Sequence, residues 1–274
     1  MDADPLAWLD PPCVMGILNV TPDSFSDGGR HLGEAAMARA EEIAREGAAI
    51  VDVGAESTRP GADPVPPAEQ LSRLRPLLDE VREAGGPAAL SIDTTSASVA
   101  EAALNAGAVL VNDVTAGRDD PELLPLAGER GAAVCLVHMR GTPATMQEDP
   151  RYDDVVGEVV DFLAGRAEAA VAAGVARERI LVDPGIGFGK TLEHNLRLLG
   201  AIDRVVALGH PVVVGVSRKG MFGALLGRPV GERLAGSLGA ALAAVARGAA
   251  VVRAHDVRET ADALGAWRAV EAAA

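Results

Sequence analysis

Short runs of β-branched and other apolar residues alternate along the chain with longer alanine-rich stretches of helical periodicity. The short runs, over 14–20, 49–54, 89–94, 109–114, 132–139, 180–183, 211–216 and 250–256, predict strands. They are nearly continuous in apolar residues, the pattern of parallel strands covered on both faces. Between them the spacing predicts helices over 34–46, 68–84, 96–106, 122–130, 154–173, 192–208, 231–246 and 258–270. Eight strands alternating with eight helices in 274 residues predict an α/β fold of the (β/α)8 kind, a single-domain TIM barrel over 13–274 behind an N-terminal extension, 1–12.

Polar residues close most of the apolar runs. Asn19, Asp52, Asp93, Asn112, His138, Asp183, Ser217 and His255 follow one another at a mean of about 34 residues, the length of a βα unit. In a barrel such positions converge on one mouth, at the C-terminal ends of the strands. Two loops on that face, 21–33 and 56–67, are longer than a barrel needs and rich in Pro, Ser, Asp and Gly, which marks them as functional.

Composition narrows the picture. Lys and Arg total 25 against 39 Asp and Glu, a formal net charge of −14, which argues against binding nucleic acid or an anionic membrane through bulk charge. The apolar stretches are interrupted before spanning length, and residues 1–12 carry three Asp and no basic segment, so neither a membrane span nor a signal peptide is expected. Cys13 and Cys135 lie in separate apolar runs, as reduced buried thiols of a cytoplasmic protein would. The basic side holds an oddity: 23 residues are Arg and only two, Lys190 and Lys219, are Lys. A compact ammonium does what Arg's planar fork does not, so these two positions invite a reason.

The mouth gathers Asn19, Thr58, Arg59, Asp93, Asn112, Met139, Asp183, Ser217, Lys219, Arg253 and His255. Arg253 and His255 alternate along one strand, so both fall on one face and suit one anion. Asp93 and Asp183 end apolar strands and need partners or a ligand. The pair is compatible with acid/base chemistry, a metal, or the N–H edge of an aminopyrimidinone-like ring, and spacing does not choose. No His/Cys/carboxylate cluster has zinc-like spacing. Asp52 is as readily explained by pairing with a barrel neighbour, and His138 by a satisfied core position. The run from Gly185 to Thr191 misses a phosphate-loop pattern because Pro184 stands where its first glycine belongs, and no GxGxxG follows a strand.

Taken together, several segments resemble the dihydropteroate synthases of folate biosynthesis. They are MGILNVTPDSFSDGG at 15–29, Asp52-Val53-Gly54 with ESTRPG at 56–61, SIDT at 91–94, and Asn112-Asp113-Val114. They continue through HMRG at 138–141, DPGIGFGK at 183–190, Ser217-Arg218-Lys219, and Arg253 with His255-Asp256-Val257. The matches run in order over roughly 13–260. Ala55, where the family usually has a second Gly, and the Thr95-Ser96 pair, where a bulkier or basic residue is common, are the departures.

The resemblance implies condensation of 6-hydroxymethyl-7,8-dihydropterin pyrophosphate with p-aminobenzoate. It implies a pterin pocket of Asp93, Asn112, Met139, Asp183 and Lys219, and a pyrophosphate grip of Asn19, Thr58, Arg253 and His255, with Asn19 also holding Mg²⁺. A p-aminobenzoate site of Phe25, Arg59, Pro60, Phe188, Ser217 and Lys219, which would also take sulfonamides, completes the set. Asp93, Lys219, Arg253 and His255 carry the catalytic expectation. The expected partners are these small molecules and a second copy of the chain, a homodimer through the last helices. Two rivals share the barrel, a pterin-dependent methyltransferase domain and an inactive pterin-binding paralogue. The intact 57–61 and 217–219 segments count against the first, and Asn19, Thr58, Arg253 and His255 against the second.

Overall fold

The computed structural model describes residues 6–20, 32–57, 59, 61–86 and 88–273. Eight parallel strands are present: β1 (Cys13–Asn19), β2 (Ala48–Gly54), β3 (Ala89–Asp93), β4 (Leu110–Asp113), β5 (Ala133–Val137), β6 (Ile180–Asp183), β7 (Val213–Gly215) and β8 (Val251–Ala254). Each pairs with its sequence neighbour from β1 to β6, while β8 lies between β1 and β7. A single bridge, Val182 with Val212, backed by a 3.0 Å bond from the Val182 N–H to the Pro211 carbonyl, brings β6 and β7 together and closes the barrel.

The helices among the described residues are α1 (Leu32–Arg45), α2 (Pro67–Ala84), α3 (Ala97–Asn105), α4 (Leu123–Glu129), α5 (Val155–Ala172), α6 (Leu192–Gly200), α7 (Ile202–Val206), α8 (Met221–Leu226), α9 (Leu234–Val245) and α10 (Val257–Glu271). The (β/α)8 expectation holds, with three local differences. The helix expected over 192–208 is two, separated at Ala201, where the backbone leaves helical angles just after Gly200, a weak helix former. The helix expected from 231 begins at Leu234, after a single 3-10 turn over Val230–Glu232. The short α8, which follows the β7 loop, was not foreseen because six residues hold too little periodicity to read.

Strand alternation sorts the side chains into two cores. Outward positions such as Val51, Val53, Val134 and Leu136 pack under helix residues such as Leu74, Leu77, Val159 and Leu163. Inward positions, among them Met15, Ile50, Leu110, Cys135, Leu181, Val213 and Val251, plug the barrel. Leu6, Trp8 and Leu9 pack against that plug, and Arg268 of α10 donates to the Asp10 carbonyl at 2.8 Å. Both cysteines are free and buried, as expected. One step further along the same inward rows the side chains turn polar: Asp52 above Ile50, Asn112 above Leu110, Asp183 above Leu181 and Arg253 above Val251. The apolar plug therefore forms the floor of a polar mouth.

Candidate active site

Register places the polar side chains side by side. Asp52 lies opposite Ser91, and Asp93 opposite Asn112. Arg253 reaches across from β8: its Nε meets Asp52 Oδ2 at 2.6 Å and its Nη2 meets Asp93 Oδ2 at 2.6 Å. Asn112 Nδ2 donates to the same Asp52 oxygen at 3.0 Å. Asp52, fully buried, is thus the carboxylate that fixes two expected ligand side chains, in agreement with its reading as a barrel partner. Arg253 is committed to this pair and is not a free grip. Burial raises Asp93 to about 7 against the pull of Arg253.

On the opposite wall, Asp183 is buried and accepts the Gly185 N–H at 2.7 Å; burial raises its pKa, opposed by that bond and by Lys219. A Cβ at Gly215 of β7 would make only ordinary contacts there, 3.9 Å from Asp183 Oδ2 and 4.0 Å from the Arg253 Cβ. Lys219 extends its ammonium over the Phe188 ring, 4.2 Å from the centroid, and burial lowers its pKa to about 8. Met139 is buried with Val114 and Met146, and Phe188 packs against them. Ser217 Oγ lies 3.2 Å from both the backbone N and Nδ1 of His255. Burial, with Arg253 next to it, lowers His255 to about 4, so it is a neutral imidazole at neutral pH. Arg218 is left-handed at φ +57° and its guanidinium forks Asp256, tying the loop of Ser217 and Lys219 to the end of β8.

Arg59 is exposed at the rim, close enough that its charge adds to the lowering of Lys219 and His255. The end of its loop is pinned: Val65 N–H and Gln70 Nε2 donate to the Glu56 carboxylate at 2.9 and 3.0 Å, and Gly61 N–H to the Pro143 carbonyl at 2.9 Å. Asn19 ends β1 beside Gly54, half-buried. Phe25, Thr58 and Pro60 lie outside the described residues, as does most of the 21–33 loop. Among the described residues no group of three His, Cys, Asp or Glu side chains could hold a metal ion. A metal here would therefore take most of its ligands from substrate and water, as magnesium on phosphates commonly does. The Asn19 side-chain oxygen suits that limited part.

The residues 15–255 match the family described as pterin binding enzymes. The dihydropteroate synthase of Neisseria meningitidis serogroup C is 49% identical over 267 residues, covering 96% of this chain and 94% of that one. The chain belongs to the dihydropteroate synthase family. Two solved members from Xanthomonas albilineans superpose closely. One, with 4-aminobenzoic acid, has a TM-score of 0.88 at 47% identity, covering 96% of this chain and 94% of its own. The other, in complex with 7,8-dihydropteroate, has a TM-score of 0.84 at 44% identity, covering 96% and 95%. Set within the family, the barrel mouth brings together Asp93, Asn112, Met139, Asp183, Phe188, Ser217, Lys219, Arg253 and His255. Sequence reasoning missed the Arg218–Asp256 tie, which joins residues 38 apart in sequence.

Proposed function

We propose that the chain condenses 6-hydroxymethyl-7,8-dihydropterin pyrophosphate with p-aminobenzoate to give 7,8-dihydropteroate and pyrophosphate. The observation that carries this is the end-to-end match to a dihydropteroate synthase, 96% of this chain against 94% of the relative, which leaves no barrel unit unmatched. The chemistry of the mouth agrees. The methylene C–O bond breaks, the pyrophosphate leaves with the electron pair, and the amine nitrogen forms the new C–N bond and gives up a proton. Such a reaction asks for stabilisation of a ring cation and of a departing anion more than for a strong base.

Asp93 and Asn112 on one wall and Asp183 on the other offer acceptors and a donor for a pterin edge, and the two carboxylates would face the developing cation. Lys219 and Phe188 form the floor on which an aromatic carboxylate would lie, with Ser217 and Arg59 at its rim. Arg253, once its Nη2 leaves Asp93, and the neutral His255 would serve the departing pyrophosphate as donors. Mg²⁺, held by Asn19 and the pyrophosphate oxygens, would neutralise leaving-group charge when bound. No helix among the described residues is long and apolar enough to cross a membrane, and the two free thiols fit a reducing compartment, the cytoplasm.

A second copy of the chain is the proposed partner. Exposed Leu196, Leu225 and Leu226 surround the small residues Gly236, Gly239, Ala240 and Ala243 of α9, in an apolar groove of about 560 Å³ on α6, α8 and α9. The test of the activity is direct: purified protein, magnesium, the pterin pyrophosphate and p-aminobenzoate, with pyrophosphate and dihydropteroate quantified. Absence of both products from folded protein refutes the reading.

A further inference from the structure

Lys190 takes no part in the chemistry above, yet it is one of only two lysines beside 23 arginines. It is 2% exposed. Its Nζ lies 2.8 Å from His138 Nδ1, 2.9 Å from the Gly185 carbonyl, 3.0 Å from the Phe188 carbonyl and 3.4 Å from the His138 carbonyl. Among the described residues no carboxylate comes within ion-pair distance of it. His138 is 4% exposed and, pushed down to about 2 by burial and the neighbouring Lys190 charge, is neutral. Its Nδ1 can therefore accept from the Lys190 amine. Burial pushes the Lys190 amine well below the usual lysine range, and around its one tetrahedral nitrogen stand three close acceptors, a geometry that a planar guanidinium does not reproduce.

Those acceptors belong to two structures. Gly185 and Phe188 are in the loop after β6, and His138 is at the end of β5. The loop alternates left-handed glycines, Gly185 at φ +67°, Gly187 at +86° and Gly189 at +64°, and runs so close to its neighbour that a Cβ on Gly185 would fall 1.8 Å from the His138 carbonyl. A chain so bent has no ladder to hold it. Its polar groups are instead held by side chains: Asn195 Oδ1 accepts the Gly187 N–H at 2.7 Å, Gln147 donates to the Gly187 carbonyl at 2.8 Å, and Tyr152 to the Gly189 carbonyl at 2.9 Å. Lys190 binds two further carbonyls, one on each side of the turn. At the end of that turn sits Phe188, the ring beneath the Lys219 ammonium.

We infer that Lys190 is a positioning residue, which clamps the Gly185–Phe188 turn to His138 and so sets the Phe188 ring against Lys219 as a preformed platform for the aromatic substrate. An apolar side chain would fill the same space without the cost of burying a cation. What the lysine adds is the three-way tie. The inference rests on the synthase reading for the identity of the ligand above Phe188, so its test has one arm that needs no turnover.

Amide hydrogen exchange in the wild type should show Gly187 and Phe188 protected. Lys190→Met should exchange them at least tenfold faster while α6 remains as in the wild type. In the same variant the KM for p-aminobenzoate should rise ten- to a hundredfold, while the dissociation constant of the pterin pyrophosphate, read by calorimetry, moves less than threefold. Lys190→Arg should not rescue either readout. His138→Asn, whose amide oxygen can stand where Nδ1 does, should keep both near wild type, and His138→Leu should reproduce Lys190→Met. Unchanged exchange in Lys190→Met overturns the clamp, as does equal weakening of both substrates or faster exchange with an unchanged KM. Wild-type protein without turnover would refute the synthase reading and leave the exchange arm to decide on the clamp.

Discussion

Replacing Lys219 tests the electrostatic design of the mouth. Its ammonium lies 4.2 Å over the Phe188 ring and close to Asp183, and burial lowers its pKa to about 8. A hydrogen bond between charged groups contributes about 1.5–3 kcal/mol, and a cation over an aromatic face about 0.5–2 kcal/mol. Lys219→Met should therefore lower kcat/KM for p-aminobenzoate by at least about tenfold, and by about thirtyfold or more if both contributions are lost in the transition state. The pH dependence separates the charge from the shape. A cation whose pKa in the folded chain is depressed is present below that value and lost as pH rises through it, so wild-type kcat/KM should fall above about pH 8. Asp93, raised to about 7, must be ionised to face a ring cation, so the rate should also fall below about pH 7. In Lys219→Arg the basic limb should vanish, because guanidinium does not titrate there, while the plateau drops because the larger guanidinium spreads its charge where a compact ammonium is held between the Phe188 ring and Asp183. Arg59→Lys, at an exposed rim position, should cost less than Lys219→Arg. The assay is pyrophosphate release at subsaturating p-aminobenzoate from pH 6 to 10. A basic limb surviving in Lys219→Arg, or a plateau within twofold of wild type, would falsify this account of the lysine.

His138 and His255 are buried as neutral rings, so the unfolded chain takes up protons below about pH 6.5 that the folded chain refuses. Each then contributes stability that is complete above about pH 6.5 and lost as pH falls. For His138 alone this amounts to about 2 kcal/mol by pH 5, and urea midpoints should show a shallower acid loss in His138→Asn than in wild type. Asp52→Ala strips Arg253 and Asn112 of a shared, fully buried partner and should cost about 3–5 kcal/mol, whereas Asp52→Asn keeps one acceptor and should cost less; denaturant unfolding ranks the two. Leu225→Asp with Leu226→Asp places charges in the apolar groove beside α9 and should convert a dimer to monomers in sedimentation while leaving the barrel's circular dichroism intact. A wild type that sediments as a monomer would remove the proposed self-association.

The fold was legible because the barrel's signal is repeated eight times. Each β-branched run lies on both a helix and a plug, so each reads as apolar throughout, and an error of one or two residues at an end, as at 211–216 against Val213–Gly215, does not disturb the count. Legibility failed where a break depends on one residue, as at Ala201 between α6 and α7, or where an element is one turn long, as with α8. In the mouth, the residue types were legible and the partners were not. That Asp93 and Asp183 need partners follows from burial alone. That Arg253 would satisfy Asp52 and Asp93 together depends on strand register across β8, β1, β2 and β3, which spacing along the chain does not encode. Lys190 was visible as an oddity of composition, but its acceptors are a ring nitrogen and carbonyls, and carbonyls have no letter in a sequence.

The register also changes how a chain of net charge −14 can receive two anions. Read from composition, Arg59, Lys219 and Arg253 make a positive funnel. In the folded barrel Arg253 lies between two carboxylates and Asp183 stands near Lys219, so the inner mouth sets three acidic groups against two basic ones. Attraction by net charge is thus not what the site offers, and directed donors must do the selecting: an ammonium over a ring, a neutral imidazole, a guanidinium already oriented by Asp52. Orientation of this kind costs little reorganisation when charge moves, because Asp52 already fixes the Arg253 Nε before substrate arrives. It would also give the pterin a part in preparing the site, since a ring edge that donates hydrogen bonds to Asp93 competes for the same carboxylate that accepts from Arg253 Nη2. Binding of the ring would then free Arg253 Nη2 for the departing pyrophosphate, while the fully buried Asp52 would keep Nε in place.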